Sequence, residues 1–332
     1  MPLRLALPSN KELFEKSVSF LKLAGIQVST RSRSLRAKVS GINDAEALIQ
    51  RSSDIPKNIN RGNIDIGIVG LDRFLESTDQ SSSTVILTKD LGFGQCKLVV
   101  AVPEVWLDVS SVHDLADLAV QFREEGRELR IATKYPRLTS EYLYKNGINY
   151  FALVEAAGAM EAAPLMGYAD IITDIVETGT TIRENRLKVL EDGVILESQA
   201  VLIGNVSNIY SDEDKKNSLQ VLLELLEGKL QSDAQLSVSA ELGPVQNYGL
   251  ASDELKSIGA VNPVFISTIG TGSKEKSNLL RLEVNQTHLI EVVRALRLMK
   301  AIDITVIPVS YIFSDESSDF KNFLDHAARL GL

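Results

Sequence analysis

Residues 161–182 of the chain read EAAPLMGYADIITDIVETGTTI. The apolar run from Ala169 to Ile175 predicts a strand, and a helical pattern follows the Gly/Thr-rich turn that ends at Thr181. Such a turn directs backbone N–H groups and hydroxyls outward, and the positive end of the helix dipole favours an anion there. The stretch therefore predicts an α/β fold with a site for a phosphate or a carboxylate at the end of this strand.

Length and composition limit the class of protein. The chain has 332 residues, of which 44% are hydrophobic and 24% charged, with a net charge of −9. The length predicts two or three domains, and the negative charge argues against nucleic acid or an anionic membrane as the main partner. The single cysteine, Cys96, fits a reducing compartment, and the first residues resemble neither a signal peptide nor a spanning helix. We therefore expect a cytoplasmic protein.

Short apolar strands alternate with helical patterns over the first two thirds of the chain. Strands are predicted at 3–7, 64–69, 84–87, 98–102, 130–133 and 150–154, and helices at 12–24, 113–122, 139–146 and 155–166, with a short helix that has Pro56 in its first turn and Asp54 as its cap. This order is typical of mostly parallel sheets with helices on their faces. Further strands at 188–190, 194–198 and 200–205 are expected to return to the first sheet, which would give two lobes with a cleft between them.

The last third of the chain has a different order of elements. A helix at 212–230 is followed by strands at 235–240, 264–269, 279–284 and 302–313, a hairpin-type turn at 270–273 and a helix at 287–299. This order suggests a small α+β domain of the ferredoxin-like kind. The predicted division is a first lobe of residues 1–95 and 186–211, a second lobe of 96–185, an α+β domain of 212–314 and a tail of 315–332, either a charged helix or frayed. No internal repeat is evident in the sequence.

The residues that could perform chemistry are acidic, hydroxyl-bearing or basic. The three histidines are scattered without metal-ligand spacing, and neither a Gly-x-Gly-x-x-Gly nor a Gly-Lys-Ser/Thr phosphate loop is present. The turn Asp174–Thr181 is accompanied by basic residues that follow predicted strands or loops: Lys11, Arg33, Arg36, Arg51, Lys97 and Arg137. Hydroxyl and N–H donors suit a terminal phosphate, cations suit a pyrophosphate, and an acid suits sugar hydroxyls or magnesium. The mixture favours a substrate with several phosphates.

The opening stretch resembles the signature of the ATP phosphoribosyltransferase family. Nine positions fall at its spacings: Glu161, Gly167, Ala169, Ile172, Asp174, Ile175, Thr178, Gly179 and Thr181. Residues 52–56, 65–70, 91–97 and 130–136 also resemble segments of the family in order, so the likeness covers residues 3 to about 205. The chain departs at Ile182, where the signature has Leu or Met, and at 8–11, where a Lys/Gly/Arg-type sequence is commoner.

The resemblance implies that ATP and 5-phosphoribosyl 1-pyrophosphate react, with Mg²⁺, to give N1-(5-phosphoribosyl)-ATP and pyrophosphate, the first step of histidine biosynthesis. The interpretation assigns Asp174, Glu177, Thr178, Gly179, Thr180 and Thr181 to the phosphoribosyl group; Arg51, with Arg33 or Arg36, to catalysis at the pyrophosphate; and Lys11, Gly70 and Asp72 to ATP. Packing at Gly70, a helix cap at Asp72 and surface ion pairs at the arginines are the structural alternatives.

The long form of this family implies a C-terminal regulatory domain, ACT-like in fold, that binds histidine as a feedback inhibitor in a homo-oligomer, from dimer to hexamer. Residues 298–308 resemble the end of that domain. The implied catalytic core is two-lobed, like the type II periplasmic binding proteins. This architecture also leaves open a solute-binding module without catalysis, and a nucleotide-salvage phosphoribosyltransferase is a third reading. A salvage enzyme would have paired acids before Thr-Gly-Gly-Thr, whereas Ile175 and Thr180 stand here.

Overall fold

The structure is a computed structural model that describes residues 1–30, 34–77, 83–154, 160–242, 248–269 and 276–332. Among these residues, no helix combines the length and the apolar character needed to cross a membrane.

Strands and helices alternate along most of the chain. The strands are β1 (Leu3–Pro8), β2 (Gln27–Thr30), β3 (Arg36–Ser40), β4 (Ala45–Gln50), β5 (Ile66–Gly70), β6 (Thr84–Thr88), β7 (Cys96–Pro103), β8 (Leu129–Thr133), β9 (Phe151–Val154), β10 (Ile171–Val176), β11 (Leu187–Ser198), β12 (Ala200–Asn205), β13 (Gln235–Leu242), β14 (Ala260–Ile269), β15 (Lys276–Asn285) and β16 (Ile302–Pro308). The helices are α1 (Lys11–Leu23), α2 (Ile55–Asn60), α3 (Leu71–Ser77), α4 (Val112–Glu124), α5 (Pro136–Lys145), α6 (Thr180–Glu184), α7 (Val206–Tyr210), α8 (Glu213–Ser232), α9 (Tyr248–Ser257), α10 (Leu289–Leu298) and α11 (Ser318–Arg329).

The first lobe is built on a mixed sheet in the order β2-β3-β4-β1-β5-β12-β6. β1 is parallel to both β4 and β5, so the carboxyl ends of these three strands meet at one edge. Asn10 caps α1 directly after β1, because its side chain accepts the N–H of Leu13 at 3.2 Å. Asp54 occupies the expected N-cap position of α2, but its side chain makes no capping bond.

The second lobe is built on a sheet in the order β11-β7-β10-β8-β9. β8 is parallel to β9 and β10, while β7 and β11 run antiparallel to their neighbours. Apolar side chains of α4 pack against this sheet, with Leu115, Phe122, Val100 and Ile131 in one buried cluster. The chain enters this lobe after β6 and leaves it between β11 and β12.

The expected return of residues 188–198 to the first sheet is wrong. These residues form one strand, β11, which pairs with β7 in the second sheet, and only β12 returns to the first sheet, between β5 and β6. The residues Glu191-Asp-Gly193 suggest a turn, but they lie within a strand whose pairing register shifts between Val189 and Leu196. A bulge accommodates the extra residues without ending the strand.

Two other local features differ from the expectation. The antiparallel pair β2–β3 lengthens the first sheet and was not expected from the sequence. The described part of the expected helix at 155–166 contains only a short 3₁₀ turn at Met160–Ala162. The alanine-rich composition favours a helix, but Pro164 and Gly167 interrupt it.

The chain divides into two compact units, residues 1–222 with 318–332 and residues 223–317. The second unit has the element order β13-α9-β14-β15-α10-β16 and an antiparallel sheet in the order β14-β15-β13-β16. Its core includes Val238, Leu280, Leu282, Val292 and Leu296. The helix α9 was not expected from the sequence, and the turn at 270–273 lies outside the described residues.

The C-terminal helix α11 belongs to the first unit, although the second unit separates it from the rest in sequence. It packs against α7 and β6, with Phe323 and Ala327 buried. The Thr88 hydroxyl at the end of β6 donates a 2.6 Å hydrogen bond to Asp319. Of the two alternatives for the tail, the structure therefore has a helix.

Candidate active site

The cleft between the two lobes contains two adjoining compartments. The larger encloses about 990 Å³ and the smaller about 300 Å³. Ser52, Arg73 and Lys134 line both compartments and so mark the place where they meet. The carboxyl ends of β4, β5, β8 and β10 supply much of the lining, as in other open α/β sheets.

The larger compartment is rich in cations. Its lining includes Arg51, Lys57, Arg73 and Lys134, with Glu76 as the acidic residue among the described positions. Arg51 follows β4 directly and is exposed. This compartment therefore suits a polyanion such as a pyrophosphate or a triphosphate.

The smaller compartment carries more acidic groups. Its charged lining residues are Glu12, Lys16, Asp72, Arg73, Lys134, Asp174 and Glu177. Lys16 pairs with Glu12 at 2.5 Å, and that hydrogen bond raises the pKa of the lysine. Carboxylates beside a few cations can bind sugar hydroxyls or a metal ion carried on a phosphate.

The turn after β10 has the expected sequence but only a short helix behind it. Gly179 has a φ of +74° and occupies the N-cap position of α6, which has five residues. A left-handed residue is required at that point, so glycine fits there. The hydroxyls of Thr178 and Thr180 lie 3.1 Å apart and exposed. Because α6 is so short, the exposed hydroxyls and N–H groups, more than a helix dipole, equip the turn for an anion.

Asp174 stands between this turn and the smaller compartment. Burial raises its pKa, while the N–H of Ile175, at 2.8 Å from Oδ1, and the charge of Lys134 act in the opposite direction. A carboxylate in this setting is a strong acceptor for hydroxyl groups.

Both oxygens of Asp72 are already engaged by the protein. Oδ2 accepts the Tyr135 hydroxyl at 2.7 Å, and Oδ1 accepts the Ser198 hydroxyl at 2.8 Å. A Cβ at Gly70 would lie 2.3 Å from Oδ1, so glycine makes room for this carboxylate. Burial and the negative charge of Asp72 raise the pKa of Tyr135. Burial and the same charge raise the pKa of Cys96 to about 11, so this thiol is protonated at neutral pH.

Arg73, Lys134 and Lys16 are cleft residues that sequence reasoning did not assign. The Arg73 guanidinium lies 4.1 Å from the centre of the Tyr135 ring, and its Nη1 donates to the carbonyl of Lys134 at 3.1 Å. Lys134 follows β8, so its position after a strand was a usable signal. Arg73 lies on α3, which begins at Leu71, so Asp72 lies in its first turn and is not its cap; no pattern in the sequence marked Arg73.

The structure brings together some of the sequence-based candidates and not others. Arg51 lines the larger compartment, and Gly70, Asp72, Asp174 and Glu177 line the smaller one. The remaining described candidates are absent from both linings: Lys11, Arg36, Thr178, Gly179, Thr180 and Thr181. Lys11 is the exposed first residue of α1, Arg36 is the exposed first residue of β3, and Arg33 lies outside the described residues.

Comparison with known proteins identifies the chain's relatives. The family model for ATP phosphoribosyltransferase matches residues 51–228, more than half of the chain. The chain belongs to the ATP phosphoribosyltransferase family. It is thus an enzyme of the class that performs the first step of histidine biosynthesis. The ATP phosphoribosyltransferase of Brucella anthropi is 48% identical over 207 residues, which are 61% of this chain and 90% of that protein. The ATP phosphoribosyltransferase of Brucella suis is 46% identical over 207 residues, which are again 61% of this chain and 90% of that protein.

A solved structure extends the likeness to three dimensions. The ATP phosphoribosyl transferase (HisG:HisZ) complex from Thermotoga maritima contains a chain that is 28% identical, with a TM-score of 0.51. The match covers 68% of this chain and 98% of that one. The family model ends at residue 228, within α8, so most of the unit 223–317 lies beyond it.

Proposed function

We propose that this ATP phosphoribosyltransferase transfers the phosphoribosyl group of 5-phosphoribosyl 1-pyrophosphate to N1 of ATP and releases pyrophosphate. The observation that carries the proposal is the pairing of a cation-rich compartment with the acidic end of β10 and its hydroxyl-rich turn. The reaction needs polyanion binding on one side and ribose binding on the other.

The turn after β10 holds the ribose 5-phosphate in this proposal. Thr178, Thr180 and Thr181 donate hydroxyl hydrogen bonds to the phosphate, together with the backbone N–H of Gly179. Asp174 accepts hydrogen bonds from the ribose hydroxyls, and the neighbouring Glu177 faces the same compartment. This orientation directs the anomeric carbon and its pyrophosphate toward the cation-rich compartment.

Arg51 is the proposed catalytic residue at the departing pyrophosphate. Arg73 and Lys134, which line both compartments, join it there. Arg33, outside the described residues, and Arg36 remain sequence-based candidates for the same role. Departure of pyrophosphate leaves an oxocarbenium-like ribosyl centre, and adenine N1 already carries a lone pair. Stabilisation of the leaving group and alignment of the two substrates therefore matter more than a strong general base.

ATP contacts are proposed at the first-lobe side of the smaller compartment. The backbone at Gly70 and Lys16 of α1 line this compartment. Lys11, exposed at the start of α1 and outside the lining, remains the sequence-based candidate from this helix. Asp72 supports this wall rather than the nucleotide directly, because Tyr135 and Ser198 already occupy its oxygens.

A metal ion is expected on the substrate rather than in a protein cage. No cluster of three or more His, Cys, Asp or Glu side chains with metal-binding geometry occurs among the described residues. Mg²⁺ is often bound by substrate phosphates and one or two carboxylates. Asp174 would supply that carboxylate, and the ion would neutralise the charge of the departing pyrophosphate.

The test of the proposed function is a turnover assay with both substrates that measures pyrophosphate release. Thr178→Ala or Thr181→Ala should weaken the binding of the phosphoribosyl substrate by about 1–3 kcal/mol, because a hydrogen bond to a charged group is lost. Ser140→Ala on α5, away from the turn, is the control. A protein that binds small solutes but releases no pyrophosphate would be a solute-binding module instead.

The unit 223–317 is proposed as a regulatory, ACT-like domain. Its β-α-β-β-α-β order is that of the ferredoxin-like fold, which is the observation in favour. In this proposal histidine binds there as a feedback inhibitor and the enzyme forms a homo-oligomer, up to a hexamer, in the cytoplasm. Turnover with and without histidine, together with the molar mass from light scattering, tests this part.

A further inference from the structure

Three residues of α3 in the first lobe contact one short turn of the second lobe. Asp72 accepts the Tyr135 hydroxyl, Arg73 donates to the carbonyl of Lys134, and Glu76 accepts from the start of α5. These contacts, between α3 and residues 134–138, are here called the interlobe latch. They cross the cleft far in sequence from the segments where the chain itself passes between the lobes.

Glu76 contacts two backbone N–H groups at the beginning of α5. The backbone N–H of Arg137 donates to its Oε1 at 2.9 Å, and the backbone N–H of Leu138 donates to its Oε2 at 3.0 Å. The N-cap residue of α5, Tyr135, makes no side-chain capping bond. The carboxylate that caps α5 therefore comes from the other lobe.

The beginning of a helix carries free N–H groups and a partial positive charge, which bind an anion. After β8, at the edge of a cleft built for phosphates, this position would otherwise be open to a substrate anion. In this protein a carboxylate of the chain fills it. The lobes are thus drawn together at this edge by a contact that needs no substrate.

The same turn is rigidly joined to the strand that carries the phosphoribosyl turn. The hydroxyls of Thr133, Thr139 and Thr173 form a buried ring, with separations of 3.2, 2.7 and 2.6 Å. Thr133 ends β8, Thr139 lies in the first turn of α5, and Thr173 directly precedes Asp174. A displacement of the start of α5 would therefore move β10 and the residues after it.

We propose that Glu76 is a positioning residue: by capping α5 across the cleft, it sets the distance between the phosphoribosyl turn of the second lobe and the cations of the first. The other contacts of the latch are made by Tyr135, by Arg73 and by the Arg137 side chain, whose Nε donates to the Glu76 carbonyl at 3.3 Å. The consequence for turnover rests on the proposed function, whereas the consequence for the distance between the lobes does not.

The experiment compares Glu76→Ala, Glu76→Gln and the control Glu141→Gln. Glu141 lies on α5 and pairs with Arg137 at 2.5 Å, as an exposed i,i+4 contact within one lobe. The distance between the lobes is measured by pulsed electron spin resonance in the absence of substrate. Spin labels are placed at Ser19→Cys on α1 and Lys145→Cys on α5, in a Cys96→Ser background shared by all variants.

If Glu76 holds the two lobes together, Glu76→Ala should broaden the distribution of interlobe distances and shift it to longer values. Glu76→Gln, which keeps one acceptor oxygen, should fall between Glu76→Ala and the parent, and Glu141→Gln should match the parent. An unchanged distribution in Glu76→Ala, or an equal change in Glu141→Gln, would overturn the proposal.

Kinetics supply the second readout. Glu76→Ala should lower kcat/KM roughly 5- to 30-fold. This range corresponds to the loss of a carboxylate at a helix N-terminus together with its charge-assisted hydrogen bonds. The dissociation constant of ribose 5-phosphate, which the second lobe alone would bind, should stay within about twofold of the parent because its turn is intact. A weaker ribose 5-phosphate complex would mean that the second lobe itself is damaged and would contradict a positioning role. If even the parent releases no pyrophosphate, the proposed function fails while the distance measurement still decides the latch.

Discussion

The two lobes contain the same small clasp of arginine, aspartate and glycine in different surroundings. In the first lobe, the backbone N–H of Arg4 donates to Asp65 Oδ2 at 2.8 Å and its guanidinium donates to both carboxylate oxygens. The guanidinium also donates to the carbonyl of Gly62, which has a φ of +72°. The clasp joins the start of β1 to the turn before β5.

The second lobe repeats this arrangement. The N–H of Arg130 donates to Asp170 Oδ2 at 2.8 Å, and its guanidinium donates to both oxygens and to the carbonyl of Gly167. Gly167 also has a positive φ, +76°. This clasp joins the start of β8 to the turn before β10. Each one fixes the strand whose far end supplies cleft residues.

The difference lies in what covers the two carboxylates. Lys215 of α8 donates to Asp65 at 2.9 Å, and Asn208 donates to the same oxygen, so Asp65 is fully buried. In the second lobe the Asp170 side chain is 10% exposed, its partner Arg130 is 42% exposed against 30% for Arg4, and Arg127 approaches Asp170 at 3.8 Å. The same motif therefore serves two purposes: in both lobes it joins the start of one strand to the turn before a neighbouring strand, and in the first it also anchors the beginning of α8.

The comparison predicts a large difference between equivalent substitutions. Asp65→Asn leaves the buried Lys215 without an anion and should lower the free energy of unfolding by about 4 kcal/mol. Asp170→Asn acts on a pair whose arginine remains 42% exposed to solvent and should cost about 1 kcal/mol. Urea unfolding followed by circular dichroism measures both. Equal losses of unfolding free energy would show that burial does not make the first clasp more important for stability than the second.

Lys215→Met removes the part of the first clasp that the second one lacks. It should destabilise the protein by about 3 kcal/mol, at the low end for a broken buried pair because Arg4 still contacts Asp65. The matched control is Lys216→Met, since Lys216 pairs with the exposed Glu213. Urea unfolding of the two variants side by side is the measurement, and similar midpoints would contradict the anchoring role of Lys215.

The helix α11 packs against the first lobe, so the Thr88–Asp319 contact is a second, weaker feature that distinguishes the first lobe from the second. Thr88→Val deletes the hydroxyl that donates to Asp319 and keeps the side-chain shape. We expect a loss of about 2 kcal/mol, because the hydroxyl donates to a charged carboxylate. Amide hydrogen exchange should rise in α11 and β6 and stay unchanged in the second lobe. Faster exchange in β8 or β10 would argue against a local anchor.

The clasp of the second lobe should affect the pH dependence of the free energy of unfolding. Burial alone would raise the pKa of Asp170, but hydrogen bonds from the side chain and backbone of Arg130 lower it on balance. Its stabilising contribution is therefore present above the ordinary aspartate pKa of about 3.9 and is lost as the pH falls through the lower folded value. Asp170→Asn should make the acid decline in the unfolding free energy shallower over that range. An identical decline in both proteins would refute this assignment.

Local pattern was sufficient for much of the fold. The strands β1, β6, β8 and β10, the helices α1, α4 and α5, and the turn at Asp174–Thr181 follow from apolar spacing and turn chemistry, which act over a few residues. The repeat of the clasp was not visible, because few residues carry it and they lie far apart in sequence. The capping of α5 by Glu76 was equally hidden, since an ordinary N-cap is sought next to the helix it caps.

Neighbouring residues alone predict many of the strands and helices, the phosphoribosyltransferase signature and the acidic, hydroxyl-bearing turn, because each depends on local pattern. Three features depend on tertiary contacts: β11 joins the second sheet, Tyr135 and Ser198 donate to Asp72, and Arg73 and Lys134 line both compartments. Strand pairing, burial and the meeting of charges across a cleft join residues tens of positions apart. The energies of those contacts depend on surroundings that no local stretch contains.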